Sequence, residues 1–239
     1  MGKVLIIIPT YNEIENIEAI IAAVLSLSSA YHMLIVDDCS PDGTGAKVKS
    51  LMPSYNDRLH ILEREGKQGL GTAYIAGFRY GLGGGYDRLM EMDADFSHNP
   101  SDVPRLLSAL EDDSVGVAVG SRYVKGGGFK NWSKYRLLLS YGASLYTRMI
   151  TGMPVKDPTA GFVVYKREVL EKMDLNKISF VGYAFQIEMK YYCYSLGYKI
   201  TEVPITFVDR ELGTSKMNMS IVQEGILGVL QIKLRDYKS

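Results

Sequence analysis

Five apolar runs, each followed by a stretch of helical spacing, constrain this chain more than any other feature. "KVLIIIPTY", "HMLIVDD", "LHILER", "YDRLMEMDAD" and "VGVAVGSRY" read as strands. They are continuously apolar rather than alternating, as expected of strands covered on both faces. The segments between them read as helices. "NEIENIEAIIAAVLSL" repeats Ile14, Ile17, Ile20, Ile21 and Val24 on one face, with Asn12 as its N-cap. "GTGAKVKSLM", "GLGTAYIAGFRYGL" and "SDVPRLLSALED" follow in turn, the last capped near Ser101 or Asp102. Strands alternating with helices predict a parallel α/β sheet with right-handed crossovers. Ligands of such sheets collect outside the carboxyl ends of the strands. That rim would carry Pro9, Tyr11 and Glu13 after one strand, Asp37 and Asp38 after a second, and Asp93 and Asp95 after a third.

The later part is less regular. "NWSKYRLLLSYGASLYTRMITG" reads as a long amphipathic helix or a helix pair. "FVVYKREVLEKM" reads as strand then helix, and "FQIEMKYYCYSLGYKITEVPITFVDR" as helix, a turn at Gly197, then strand. Ser220 to Leu234 forms a further amphipathic helix. No repeat, low-complexity tract or linker divides the 239 residues. A single domain is therefore expected, its first half running to about residue 125 and its second from about residue 126. Cys39 and Cys193 are too few for a disulfide scaffold, so a reducing compartment is expected. No apolar stretch reaches the roughly 20 residues needed to span a bilayer.

Two adjacent like charges at a strand mouth repel and call for compensation. "DAD" at residues 93 to 95 is a second acid cluster at an equivalent position. Paired carboxylates suit a hard divalent cation that shares its shell with phosphate oxygens. His98 would join as a ligand or hydrogen-bond donor. Charge is also segregated. Residues 114 to 156 contain no acid and seven bases, while the formal net charge of the whole chain is zero. Such asymmetry points to an anionic partner, against the plainer reading of a solvated face. Arg136 and Ser140 stand four apart, on one helical face.

"IPTYNE", "VDDCSPDGT", "GLGTAY", "MDADFSHNP", "GSRY" and "DPTAGFVVY" occur in this order. Together they resemble the inverting family-2 glycosyltransferases, and more closely the polyprenol (dolichol) phosphate mannosyltransferases. The resemblance runs from residue 3 to about residue 216. It implies a GT-A fold, Rossmann-like, with a mostly parallel sheet flanked by helices and with amphipathic helices on the acceptor side. It implies mannose transfer from GDP-mannose to a polyprenyl phosphate; a glucosyl version using UDP-glucose is the alternative. Pro9, Tyr11, Glu13, Val36 and Asp38 would contact the nucleoside, with Asp37 supporting the turn. Asp93 and Asp95 would hold Mg²⁺ or Mn²⁺ on the diphosphate, with Ala94 offering backbone contact. Ser97 stands where the family often has Gln, which puts a side-chain metal contact there in doubt. Arg122 would sit near the diphosphate or the acceptor phosphate, and Arg136 and Ser140 would hold the latter. Arg210 and Lys216 would belong to a loop closing over the diphosphate. Asp157 would shape the sugar or acceptor pocket, and Gln186 and Glu188 would lie near the site. Gly69 and Gly71 carry only a weak phosphate signal and otherwise permit a tight turn before a helix. A lipid phosphate is already anionic near neutral pH, so no general base is required. Peripheral attachment to the cytoplasmic face of a membrane is expected, with a membrane-spanning partner as a second anchor and with no nucleic acid.

Overall fold

The computed structural model describes residues 2–182, 184–209 and 219–237, with only the backbone path over 219–226. In chain order its elements are β1 (Val4–Thr10), α1 (Ile17–Leu25), β2 (Tyr31–Asp37), α2 (Thr44–Leu51), β3 (Leu59–Glu63), α3 (Leu70–Gly83), β4 (Arg88–Glu91), α4 (Val103–Ser108) and β5 (Val115–Ser121). Then come β6 (Gly128–Lys130), α5 (Lys134–Thr151), β7 (Val163–Lys166), α6 (Arg167–Lys172), α7 (Ala184–Ser195), β8 (Lys199–Pro204), β9 (Thr206–Val208) and α8 (Met219–Leu234).

Seven strands form one sheet in the order β3-β2-β1-β4-β7-β5-β8, and β6 pairs with β9 in a separate ribbon. The expected parallel pairing holds throughout the main sheet except at β7. That strand runs antiparallel to both β4 and β5. Alternate residues of each strand feed opposite layers. Leu5 and Ile7 join Tyr74, Phe78 and Phe185 on the α3 and α7 side. Ile6 and Ile8 join Ile17, Ile20 and Val24 on the α1 side. Every one of these side chains is buried, which is why the strands read as unbroken apolar runs.

Local chemistry sets the element ends. Helix α1 starts after Asn16, whose side chain makes no capping bond, and not after Asn12. Asn12 instead takes a left-handed φ of 61°, which Asn tolerates, and its N–H donates to Ser40 Oγ at 3.1 Å. The stretch after Trp132 forms one helix of 18 residues, capped by Ser133 and closed at Gly152 with φ 71°. Gly69 opens α3 at φ 99°, and at Gly71 a Cβ would stand 2.6 Å from the Phe180 carbonyl. The two glycines thus serve a turn and a close approach of α3 to Phe180 and Phe185.

Candidate active site

The rim after β1 and β2 is zipped together internally. Asp37 accepts from Thr10 Oγ1 at 2.8 Å and from Ser40 Oγ at 2.6 Å. Asp42 accepts the Ile14 N–H at 3.1 Å and the Thr44 hydroxyl at 2.6 Å. Asp38 pairs with Arg64, whose Nε donates at 2.6 Å while Nη1 reaches Thr72. The repulsion between the two adjacent acids is therefore offset within the chain, at Asp37 by two hydroxyls and at Asp38 by Arg64. Arg64 lies 26 residues from Asp38, and no local pattern links them. Val36, expected to contact the nucleoside, has a wholly buried side chain near the end of β2, and Pro9 is half-buried beside it in the sheet. Lys67 Nζ sits 5.0 Å over the Tyr11 ring, bringing a cation to this aromatic face.

The β4 end carries Asp93, Ala94 and Asp95. Asp95 Oδ1 accepts the Ser97 N–H at 3.1 Å. His98 Nδ1 accepts the Asp93 N–H at 3.2 Å, which places the imidazole proton on Nε2. The ring is buried, stacked on Phe162 at 4.8 Å and met edge-on by Phe207. His98 thus holds the acid loop as an acceptor through Nδ1, while its Nε2 carries the donor proton. Burial pushes its pKa down to about 4, against the ordinary 6.5. Between those values the unfolded chain binds the proton and the folded chain does not. This contribution to stability is therefore present above pH 6.5 and lost as pH falls towards 4. Urea midpoints should drop between pH 7 and pH 5 in the wild type, and by less in His98→Asn.

The donor set suits a hard cation. Two carboxylates lie at one strand end, and beside them the Ser97 hydroxyl is buried without a hydrogen-bond partner among the described residues. The described residues contain no group of three or more His, Cys, Asp or Glu side chains placed to hold a metal. A two-carboxylate set matches ions that keep waters and phosphate oxygens in their shell.

Across the rim, Arg122, expected near the diphosphate or the acceptor phosphate, is held by Asp157. Its backbone N–H and Nε donate to Asp157 Oδ2 at 2.9 and 2.7 Å, and Nη2 donates to Oδ1 at 2.5 Å and to Thr159 at 2.9 Å. Asp157 is fully buried. The rings of Tyr123, Phe129, Trp132 and Phe207 surround the guanidinium at 5.5 to 5.8 Å. Arg122 is committed to clamping the end of β5 onto the loop before β7. Arg136 lies 4.1 Å over Trp132 and donates to Asp209 at 2.7 Å, so it is no free surface charge. Ser140, one turn on, is half-buried. Arg210 and Lys216 lie outside the described residues.

Beneath the rim, Gln186 donates to Glu91 at 2.6 Å and accepts from Lys190 at 3.0 Å. Lys190 also donates to the Ala160 carbonyl at 2.7 Å. Burial pushes the Glu91 carboxyl up and the Lys190 ammonium down. Gln186 thus supports the 157–161 loop from below. Glu188 has a separate task. It accepts the N–H groups of Ser179 and Phe180, with Arg235 and Tyr237 fastening the end of the chain to it.

A mostly parallel sheet flanked by helices, with acids just past the carboxyl ends of its strands, has the architecture of a GT-A sugar transferase. Residues 5–174 match the model of glycosyl transferase family 2, and the chain belongs to that family. It is 47% identical over 233 residues to the polyprenol monophosphomannose synthase of Mycolicibacterium smegmatis, covering 98% of this chain and 88% of that protein. It is 46% identical over 227 residues to the undecaprenyl-phosphate mannosyltransferase of Micrococcus luteus, covering 95% and 92%. Among solved structures it is similar in fold to glucosyl-3-phosphoglycerate synthase from Mycobacterium tuberculosis in complex with Mn²⁺, UDP and phosphoglyceric acid. That match has a TM-score of 0.72 at 15% identity, over 99% of this chain and 80% of the other.

Proposed function

We propose that the chain transfers mannose from GDP-mannose to a polyprenyl phosphate, with inversion at the sugar. One observation carries the reading: Arg136 and Ser140 form a sheltered polar turn on a helix whose other faces expose apolar side chains. Leu138 is 69% exposed and Met149 76%. A phosphate grip set in an apolar surface suits a headgroup that arrives on a lipid.

The acceptor phosphate brings its own negative oxygen, so no residue has to remove a proton. Arg136 presents a planar fork to phosphate oxygens and Ser140 adds a hydroxyl donor. Tyr11 with Lys67, together with Glu13 and Asp38, offers the nucleoside an aromatic face and polar edges. Asp93 and Asp95 would hold Mg²⁺ or Mn²⁺, with the Ser97 hydroxyl alongside. When bound, the ion neutralises charge on the leaving diphosphate as a Lewis acid. Arg210 and Lys216 are proposed to cover that diphosphate.

The apolar surface continues onto α8, where Leu227 and Leu234 are 62% and 86% exposed. Among the described residues no helix is long and apolar enough to cross a membrane. Exposed leucines beside Lys134 and Lys233 support peripheral binding to the cytoplasmic face of a membrane, with a spanning partner as a second anchor.

Purified protein with Mg²⁺, polyprenyl phosphate and radiolabelled GDP-mannose should give organic-extractable label, and radiolabelled UDP-glucose should give none. Label from UDP-glucose alone would overturn the sugar. No label from either donor would overturn the acceptor.

A further inference from the structure

Six buried side-chain polar atoms lack a hydrogen-bond partner among the described residues. One, Ser97 Oγ, lies beside Asp95. The other five are Tyr123 OH, Trp132 Nε1, Arg136 Nε, Ser144 Oγ and Arg148 Nε, all within residues 123–148. Folded proteins leave few such groups unpaired, because each gives up its water without return. Five in one stretch of 26 residues is therefore a feature of a site rather than scattered imperfection.

Their chemistry states what is missing. Indole Nε1 and guanidinium Nε can only donate, and a phenol or serine hydroxyl can donate. The absent partner must supply acceptors, and several of them. A neutral apolar ligand cannot do that. A phosphate monoester, with three terminal oxygens, can.

Their placement is ordered. Arg136, Ser140, Ser144 and Arg148 recur every fourth residue of α5, so they form one polar stripe along the helix. Ser144 is only 2% exposed, deeper than Ser140. Tyr123 follows the Arg122 clamp directly and reaches α5, where its ring meets Tyr141 edge-on at 5.6 Å. Burial raises its phenol pKa, and weak hydrogen bonding with the Ser140 and Ser144 hydroxyls opposes that rise. These contacts fall short of full hydrogen-bond geometry, so Tyr123 OH and Ser144 Oγ stay open to a stronger acceptor.

We propose that Tyr123 and Ser144 are phosphate-binding residues that extend the grip of Arg136 and Ser140 inward, with the Trp132 indole N–H as a further donor. The inference rests on the transferase reading and deepens it. The ligand chemistry is a phosphate monoester, carried by the prenyl lipid.

Tyr123→Phe and Ser144→Ala test it, beside Arg136→Ala as reference, with farnesyl phosphate as a soluble acceptor. Each of the two variants should raise KM for farnesyl phosphate about tenfold, as expected for a lost hydrogen bond to a charged group, and leave KM for GDP-mannose unchanged. Thermal midpoints should change little, because the contacts among these hydroxyls are weak in the free protein. Inorganic phosphate, used as an inhibitor competing with the acceptor, should weaken by the same factor in Tyr123→Phe. An unchanged acceptor KM overturns the proposal. So does a fall in thermal midpoint with both KM values raised, the mark of a structural role. A raised acceptor KM with unaltered inhibition by inorganic phosphate also overturns it, since the contact would then be to the prenyl chain. Failure of the transferase reading looks different. Wild-type protein would make no mannolipid, and farnesyl phosphate binding, read as a thermal shift, would still depend on Tyr123.

Discussion

Asp95→Asn is expected to lower mannosyl transfer by roughly a hundredfold to a thousandfold while leaving the urea unfolding midpoint nearly unchanged. The asparagine keeps a carbonyl oxygen where Asp95 Oδ1 accepts the Ser97 N–H, so the loop retains its local bond. What disappears is a negative charge beside Asp93. Charge stabilisation of a leaving diphosphate is made mostly in the transition state, so the loss should fall on kcat. Raising Mn²⁺ should recover part of the activity if weakened metal affinity contributes. Were Asp95 an ordinary loop acid, the substitution would cost neither kcat nor stability, and the metal-holding role would be wrong.

Asp157→Ala should instead damage the fold, by about 3–5 kcal/mol in urea unfolding. It strips the partner from an arginine whose side chain is only 9% exposed and removes the acceptor for the Arg122 backbone N–H as well. An uncompensated buried charge is among the costliest single changes a core can suffer. Domains of this kind hold about 5–15 kcal/mol in total, so the variant should sit near the edge of folding. Adding Arg122→Met should return much of the loss, because the stranded charge goes with it. If the double variant were no more stable than Asp157→Ala, the aromatic ring of contacts around Arg122 would outweigh its pairing.

The alternation of strands and helices was legible because the Ile and Val runs of β1, β2 and β5 have no other way to be buried. The reversed direction of β7 was not, since "FVVY" reads the same in either sense and pairing partners leave no mark on a single strand. The acid clusters announced the rim, because two carboxylates after an apolar run need an explanation. Their use did not follow from position. Asp38 finds Arg64 through the fold, and Arg122 turns inward to Asp157, although both looked available to a ligand. Helical spacing put Arg136 and Ser140 on one face, but their joint role came from the family resemblance and not from the spacing. Ser144 and Tyr123 were not readable, because a serine on a helix and a tyrosine after a strand are commonplace. Only the lack of partners in three dimensions sets them apart. The start of α1 after Asn16 and not after Asn12 was likewise beyond a sequence in which both are plausible.

The reversal at β7 has an evolutionary consequence. Strands β5 and β7 are direct neighbours, joined where the Gly120 N–H meets the Phe162 carbonyl at 2.8 Å. Everything between them, α5 included, leaves and re-enters the sheet on the same side. The segment is in effect a cassette hung from adjacent hooks, and it can lengthen, shorten or be exchanged without rewiring strands β2 and β4, which lead into the acid clusters. A lineage of such enzymes could therefore change what it hands its sugar to by replacing one contiguous insert, while inheriting donor chemistry intact.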